Sequence, residues 1–332
     1  MKNFFLFGIF CFVVYSSASQ QRKFNGVSFV ASSRQINQTN IAPVLNVNAN
    51  AVALMPFGFI RDTSSPKLTF NSDRQWFGET KKGLIQYALE FQKKNVQIMV
   101  KPQIWIWRGE FTGNLTMASE EDWRILEESY SEFIMTYAKV AQDIGAELLC
   151  IGTELEQFVM QRHSYWVSLI TEIRKVFRGK LTYAANWDEF KRVSFWGELD
   201  FIGVDAYFPL TDLKSPAVAD FEAGWNKHKI EIKAIQARFK KPILFTEFGY
   251  RSVDYTGKKP WESNRIEGSL NLKAQENGLQ ALYNQFWNEE WFAGGFVWKW
   301  FVNHDRVGGI YNNRFTPQNK PAEDLLKKLY QQ

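Results

Sequence analysis

Leu148-Leu149-Cys150-Ile151-Gly152-Thr153-Glu154 is an uncharged run that ends on a carboxylate. A short apolar run of this kind, with no polar alternation, suits a strand covered on both faces. The segment before it, residues 119–144, carries Phe133, Ile134, Tyr137, Ala138, Ala141 and Ile144 at helical spacing. Ser119 supplies a cap, with Asp122 three residues on, and Gly145 supplies the stop. The segment after it, residues 164–177, repeats the design with Trp166, Leu169, Ile170, Ile173 and Phe177, and Gly179 follows. A second apolar run, residues 180–187, comes next. Helix, strand, helix, strand is the repeat of a parallel sheet with helices on its outside.

Working outward, the same alternation covers the chain. Strand-like runs fall at residues 26–30, 51–57, 96–106, 147–154, 180–187, 199–207, 242–248 and 294–300. Further helical patterns fall at residues 221–239, 272–291 and 322–330. The helix after the first strand is weakly signalled, and that after the fifth is short. Eight strands alternating with helices predict an α/β fold, a (β/α)8 TIM barrel in a single domain. A doubly wound open sheet is the alternative, but no Gly-rich phosphate loop follows the first strand. Long connections at residues 55–74, 108–118, 249–271 and 302–320 all follow strand C-terminal ends, the face where barrel enzymes build their sites.

Composition narrows the function. The chain has 332 residues, a length that fits one barrel, and 45% of them are hydrophobic. Aromatic residues make up 16%, with 13 Trp, more than a core requires, which suggests a surface that stacks on something flat. Residues 1–19 read as a signal peptide: Lys2, an apolar run over residues 4–14, then Ser17-Ala18-Ser19 as small cleavage-site residues. The barrel domain is then 20–332, secreted or periplasmic after cleavage near Ser19, with no membrane span in the mature chain. Of two cysteines, Cys11 leaves with the leader and Cys150 lies in an apolar strand, so no disulfide framework is expected. The net charge of +5 is spread without a dense basic run, against a nucleic-acid partner. His163, His228 and His304 are far apart, no metal-ligand spacing occurs, and no cofactor is expected. A monomer is expected.

Glu154 and Glu247 end the fourth and seventh apolar runs. Ionisable residues there are costly unless paired or used. One such Glu is most simply a salt-bridged structural residue; two, at strands four and seven of an eight-strand pattern, converge across the barrel mouth. Two facing carboxyls, one protonated and one ionised, are the minimal apparatus of glycoside hydrolysis. The substrate class is therefore an oligo- or polysaccharide.

Here a resemblance adds detail. Ile151-Gly152-Thr153-Glu154-Leu155 and Phe245-Thr246-Glu247-Phe248-Gly249-Tyr250 resemble the acid/base and nucleophile motifs of the retaining glycosidases with catalytic carboxylates on strands four and seven. With Gly26-Val27-Ser28-Phe29, Lys101-Pro102-Gln103-Ile104-Trp105, Gly203-Val204-Asp205-Ala206-Tyr207 and Trp298-Lys299-Trp300, the chain is similar to glycoside hydrolase family 113, the barrel β-1,4-mannanases. The resemblance implies Glu154 as acid/base, with a pKa raised by burial and by the charge of Glu247, and Glu247 as nucleophile. It implies Tyr207 as a hydrogen-bond partner of Glu247, on the same face as Asp205, and Trp298 as the floor of the −1 sugar. Trp105, Trp107 and Trp187 are each a candidate platform for further sugars or a core residue. Lys101 and Gln103, sharing the parity of Trp105, are candidate hydroxyl ligands, or Lys101 is an internal counter-charge. The chain departs from the pattern at Thr153, where many relatives carry an Asn for the sugar 2-hydroxyl; Asn186 is the substitute candidate, or a turn cap. An endo-β-1,4-mannanase is the expectation. The alternatives are a β-glucanase or exo-β-mannosidase on the same barrel, or an inactive glycan-binding barrel.

Overall fold

The computed structural model describes residues 22–262 and 269–331. The expected leader, residues 1–19, lies outside them. In chain order the elements are β1 Phe24–Phe29, α1 Gln38–Asn46, β2 Ala51–Leu54, β3 Phe57–Ile60, β4 Thr69–Phe70, α2 Lys81–Gln92, β5 Gln97–Val100, β6 Gln103–Ile106, α3 Glu120–Asp143, β7 Leu148–Thr153, α4 Glu156–Gln161 and α5 His163–Val176. They continue with β8 Lys180–Asn186, β9 Ile202–Asp205, α6 Val218–Phe239, β10 Ile243–Phe248, α7 Leu272–Phe286, β11 Phe292–Trp300 and α8 Pro321–Leu329. Eight strands close a barrel in the order β1-β11-β10-β9-β8-β7-β5-β2, every pair parallel. This is the single-domain (β/α)8 barrel. Among the described residues no helix is long and apolar enough to cross a membrane.

Alternation within each strand makes two cores. Ala51, Ala53, Met99, Leu148, Cys150, Ala184 and Leu244 point inward and pack with Phe24, Phe201 and Phe296. Val52, Leu54, Ile98, Val100, Leu149, Ile151, Leu181, Ile202, Val204 and Phe245 point outward and pack under the helices. Trp166 and Trp300 are fully buried in that outer core. The helices start and stop where local chemistry dictates. The Ser119 hydroxyl accepts from the Asp122 amide at the head of α3, and Gly145, at φ +62°, turns the chain out after it. Between β8 and β9 the helix is reduced to a 3-10 turn, Trp196–Glu198.

Two expectations are corrected. Residues 96–106 are two strands, because Pro102 offers no amide to a ladder: β5 belongs to the barrel, and β6 joins a separate sheet in the order β4-β3-β6. The connection at residues 55–74 is therefore not a plain loop but carries β3 and β4 of that side sheet. Helix α2, which the sequence patterns above do not include, buries Leu84, Tyr87, Ala88 and Phe91 on one face and is capped by the Thr80 hydroxyl.

Candidate active site

The C-terminal mouth of the barrel opens into a cavity of about 730 Å³. Both glutamates line it, and each sits just past an irregularity in its strand. On β10, Phe245 pairs with Val204 and Glu247 with Asp205, so one extra residue is inserted. On β7, Cys150 pairs with Thr182 and Thr153 with Ala184, again one extra residue. Strict alternation from inward Leu244 would turn Glu247 outward. The bulge brings Thr246 and Glu247 both to the inside, as bulges beside active sites do. Glu154 has φ +52°, a left-handed conformation costly for a side chain with a Cβ. Its backbone is clamped: the Glu154 amide donates to Ala184 O at 2.8 Å, the Thr112 hydroxyl to Glu154 O at 3.0 Å, and the Leu155 amide to Tyr183 Oη at 2.6 Å.

The two carboxyls differ in surroundings. Glu247 Oε1 accepts from Lys101 Nζ at 2.5 Å and from Gln103 Nε2 at 3.0 Å, while Oε2 accepts from Tyr207 Oη at 2.9 Å. Three donors hold the Glu247 carboxyl in one orientation. The Glu154 carboxyl makes no hydrogen bond or ion pair among the described residues, and the residue borders the cavity. Burial, then the charges of Asp205 and of Glu247, raise its pKa well above the ordinary Glu value. Asp205 is buried beside Lys101 Nζ, 3.1 Å away, and accepts from the Thr246 hydroxyl at 2.7 Å. Burial and then Glu247 push Asp205 up, to about 7, against the pull of Lys101. Burial opposes the charge of Lys101, yet Asp205 and Glu247 hold its pKa above that of a free lysine.

The remaining candidates separate. Gln103, Trp105, Asn186, Asp205, Tyr207 and Trp298 line the cavity. Lys101 does not: it is 0% exposed, so it cannot reach a sugar hydroxyl and serves as the counter-charge beneath Glu247. Trp187 does not line the cavity either; it stacks behind Trp261, centroids 5.2 Å apart at 20°, and Trp261 presents the accessible ring. Trp105 stands on the side sheet instead of on barrel strand β5, and is 49% exposed. Asn186 Oδ1 accepts from the Trp187 amide at 2.7 Å, a turn cap, while the residue still borders the cavity. Trp298 is joined to Lys299 by a cis peptide bond. The Lys299 ammonium lies 5.0 Å from the Trp298 ring centroid and makes no ion pair among the described residues. Sequence reasoning missed Trp76, Glu79, Glu110, Phe111, Trp261 and Lys299 on the cavity wall. Most of them sit in segments after strand C-terminal ends, where aromatic and charged residues were a readable signal. Among the described residues no group of three or more His, Cys, Asp or Glu could hold a metal ion.

A parallel eight-stranded barrel with two carboxyls in unlike surroundings at its C-terminal mouth defines a barrel glycosidase. The model of Glycoside Hydrolase Family 113 matches residues 30–320, and the chain belongs to that family. Solved structures agree in fold. A family 113 β-mannanase from Alicyclobacillus acidocaldarius is 22% identical, with a TM-score of 0.81 over 93% of this chain and 97% of that one. A second family 113 β-1,4-mannanase is 21% identical, with a TM-score of 0.81 over 94% and 99%. A β-glucuronidase from Faecalibacterium prausnitzii, 14% identical, has a TM-score of 0.61 over 93% of this chain and 49% of that one. No curated protein sequence matches the chain.

Proposed function

We propose that the chain is an endo-β-1,4-mannanase that hydrolyses β-mannan with retention of configuration. The observation that carries the mechanism is the inequality of the carboxyls: Glu247 held by Lys101, Gln103 and Tyr207, Glu154 unpaired with a raised pKa. In the first step Glu154 gives its proton to the glycosidic oxygen while a Glu247 oxygen attacks C1. The C1–O bond breaks, and the sugar is left as an ester on Glu247. Esterification removes the charge of Glu247, one of the causes that raise the pKa of Glu154, so Glu154 becomes a competent base. Lys101 keeps a partner throughout, because Asp205 remains beside it. In the second step Glu154 takes a proton from water, the water oxygen bonds to C1, and Glu247 leaves as a carboxylate.

The Trp298 indole offers a face to the C–H side of the −1 sugar. Mannose differs from glucose in its axial 2-hydroxyl, so discrimination falls to whatever meets that position. Thr153 borders the cavity but its hydroxyl oxygen is buried, so Asn186 remains the candidate for that contact. The experiment is turnover of matched manno-, gluco- and xylo-oligosaccharides with the product anomer followed by NMR. A kcat/KM at least tenfold higher on the manno series, with β product formed first, is expected. A preference for glucose removes the mannanase reading, and initial α product removes the retaining mechanism.

A further inference from the structure

A second cavity, about 350 Å³, lies against the first on the side sheet. Phe59 pairs with Thr69 on one side and with Trp105 on the other, so these three residues form one row across the sheet. Ile60 and Ile106, the next residues along, are buried beneath the sheet. Strand alternation therefore turns Phe59, Thr69 and Trp105 to the same outer face. Phe59 and Trp105 line both cavities, a shared wall with the active site on one side. On the far side stand Trp107, 66% exposed, and two cations, Arg61 and Lys67. Among the described residues neither cation has a carboxylate within ion-pairing distance. Asp62, next to Arg61 in sequence, feels its charge without forming an ion pair, and accepts from the Ser64 amide at 3.0 Å and the Ser64 hydroxyl at 2.8 Å.

The two cavities differ in their ionisable lining: the first is lined mostly by carboxyls, of which Glu154 holds its proton and Asp205 and Glu247 are countered by Lys101 beneath them. Glu79, Glu110, Glu154, Asp205 and Glu247 line the first, against Lys299 alone. The second has Arg61 and Lys67 and no acid. Exposed tryptophan rings beside unpaired cations match a sugar ring that carries an anion: the ring faces take the C–H surface, and the guanidinium and ammonium take the charge. We infer that this second cavity is a distal glycan subsite for a carboxylate-bearing sugar, a hexuronate unit or side group on the same chain whose scissile bond lies in the barrel mouth. The volume, at the low end of the roughly 300–1,000 Å³ of small-molecule sites, holds one such residue and not a polymer. The inference rests on the mannanase reading, since the chain must continue past Trp105 into the catalytic cavity.

The test compares kcat/KM on mannohexaose and on the same oligosaccharide carrying one glucuronic acid, for the wild type and for Arg61→Ala/Lys67→Ala. The wild type is expected to favour the acidic substrate roughly fivefold at low salt, the scale of two exposed ion pairs, and the preference should fade as ionic strength rises. The double variant should lose the preference and keep wild-type turnover of an aryl mannobioside, which is too short to pass Trp105. Equal rates on the two hexasaccharides in the wild type, or a preference that survives in the variant, overturn the acidic subsite and leave the mannanase reading standing. Failure to cleave either hexasaccharide overturns the mannanase reading and the subsite with it.

Discussion

At the scale of single residues, environment separates two glutamates in one cavity. Glu154 keeps its proton to higher pH than a free Glu because burial, Asp205 and Glu247 all oppose its charge. Two outcomes follow for Glu154→Gln. On an activated aryl glycoside, the alkaline limb of kcat/KM should disappear, since it tracks loss of the Glu154 proton; a limb left unchanged would assign that titration to another group, with Asp205 the first candidate. Stability should respond in the same sense. Between the unfolded value, about 4.3, and its raised native value, the native state binds more protons than the unfolded chain, so wild-type stability falls as pH rises through that window. Glu154→Gln should therefore gain in Tm relative to wild type as pH rises above about 4.3, and show no gain below it; a pH-independent difference refutes the raised pKa. Around Glu247, Tyr207→Phe and Lys101→Met should part company. The first removes one charge-assisted hydrogen bond from a buried carboxylate and should cost kcat about ten- to a hundredfold and stability about 1–3 kcal/mol. The second leaves Asp205 and Glu247 buried without their cation and should cost about 3–5 kcal/mol in denaturant unfolding. Equal stability losses in the two would remove Lys101 as the counter-charge.

At the scale of elements, the site depends on how strands sit against one another. Gly203 on β9 lets the strand close on β8: a Cβ there would lie 2.1 Å from the Tyr183 carbonyl oxygen and 2.5 Å from Thr182 Oγ1. Backbone cannot yield as a side chain does, so Gly203→Ala should cost about 1–3 kcal/mol. Asp205 is two residues further along, so activity should fall as well. Gly197→Ala, where a Cβ meets nothing within 4 Å, serves as the control and should be near neutral. If the two variants melt alike, the close β8–β9 approach is not what Gly203 provides. The same scale explains what sequence patterning could and could not read. The stripe and caps of α3 were legible because they depend on residues three or four apart. The division of residues 96–106 was signalled by Pro102 alone, and the partner that makes β6 a strand, β3, is more than forty residues away. Trp187 read as a platform because it ends an apolar run; only its stacking against Trp261, far along the chain, shows which ring meets the cavity.

At the scale of the whole molecule, the barrel gathers its long connections on one face and leaves the mouth open along the side sheet. Trp76, Trp105 and Phe111 are exposed along that edge of the catalytic cavity. An open, aromatic-edged groove suits a chain bound internally. The viscosity of a mannan solution should accordingly fall well ahead of the release of reducing ends. Parallel loss of viscosity and release of single sugars would mark exo action and remove the endo part of the proposal.

The amino-acid order by itself determined the barrel and the strand ends on which its two carboxyls stand. Burial alternation, helical stripes and turn residues act over a few positions, and eight repeats of them, with no Gly-rich phosphate loop after the first strand, favour a closed parallel sheet over a doubly wound one. Three features were decided only in the tertiary structure. The one-residue bulges before Glu154 and Glu247 show only when each strand is laid against its neighbour. Lys101 was divided between ligand and counter-charge until Asp205 and Glu247, more than a hundred residues away, closed around it. The side sheet that separates the two cavities exists only because β6 leaves the barrel to pair with β3. Each depends on contacts between residues distant in the chain, and no local pattern carries those.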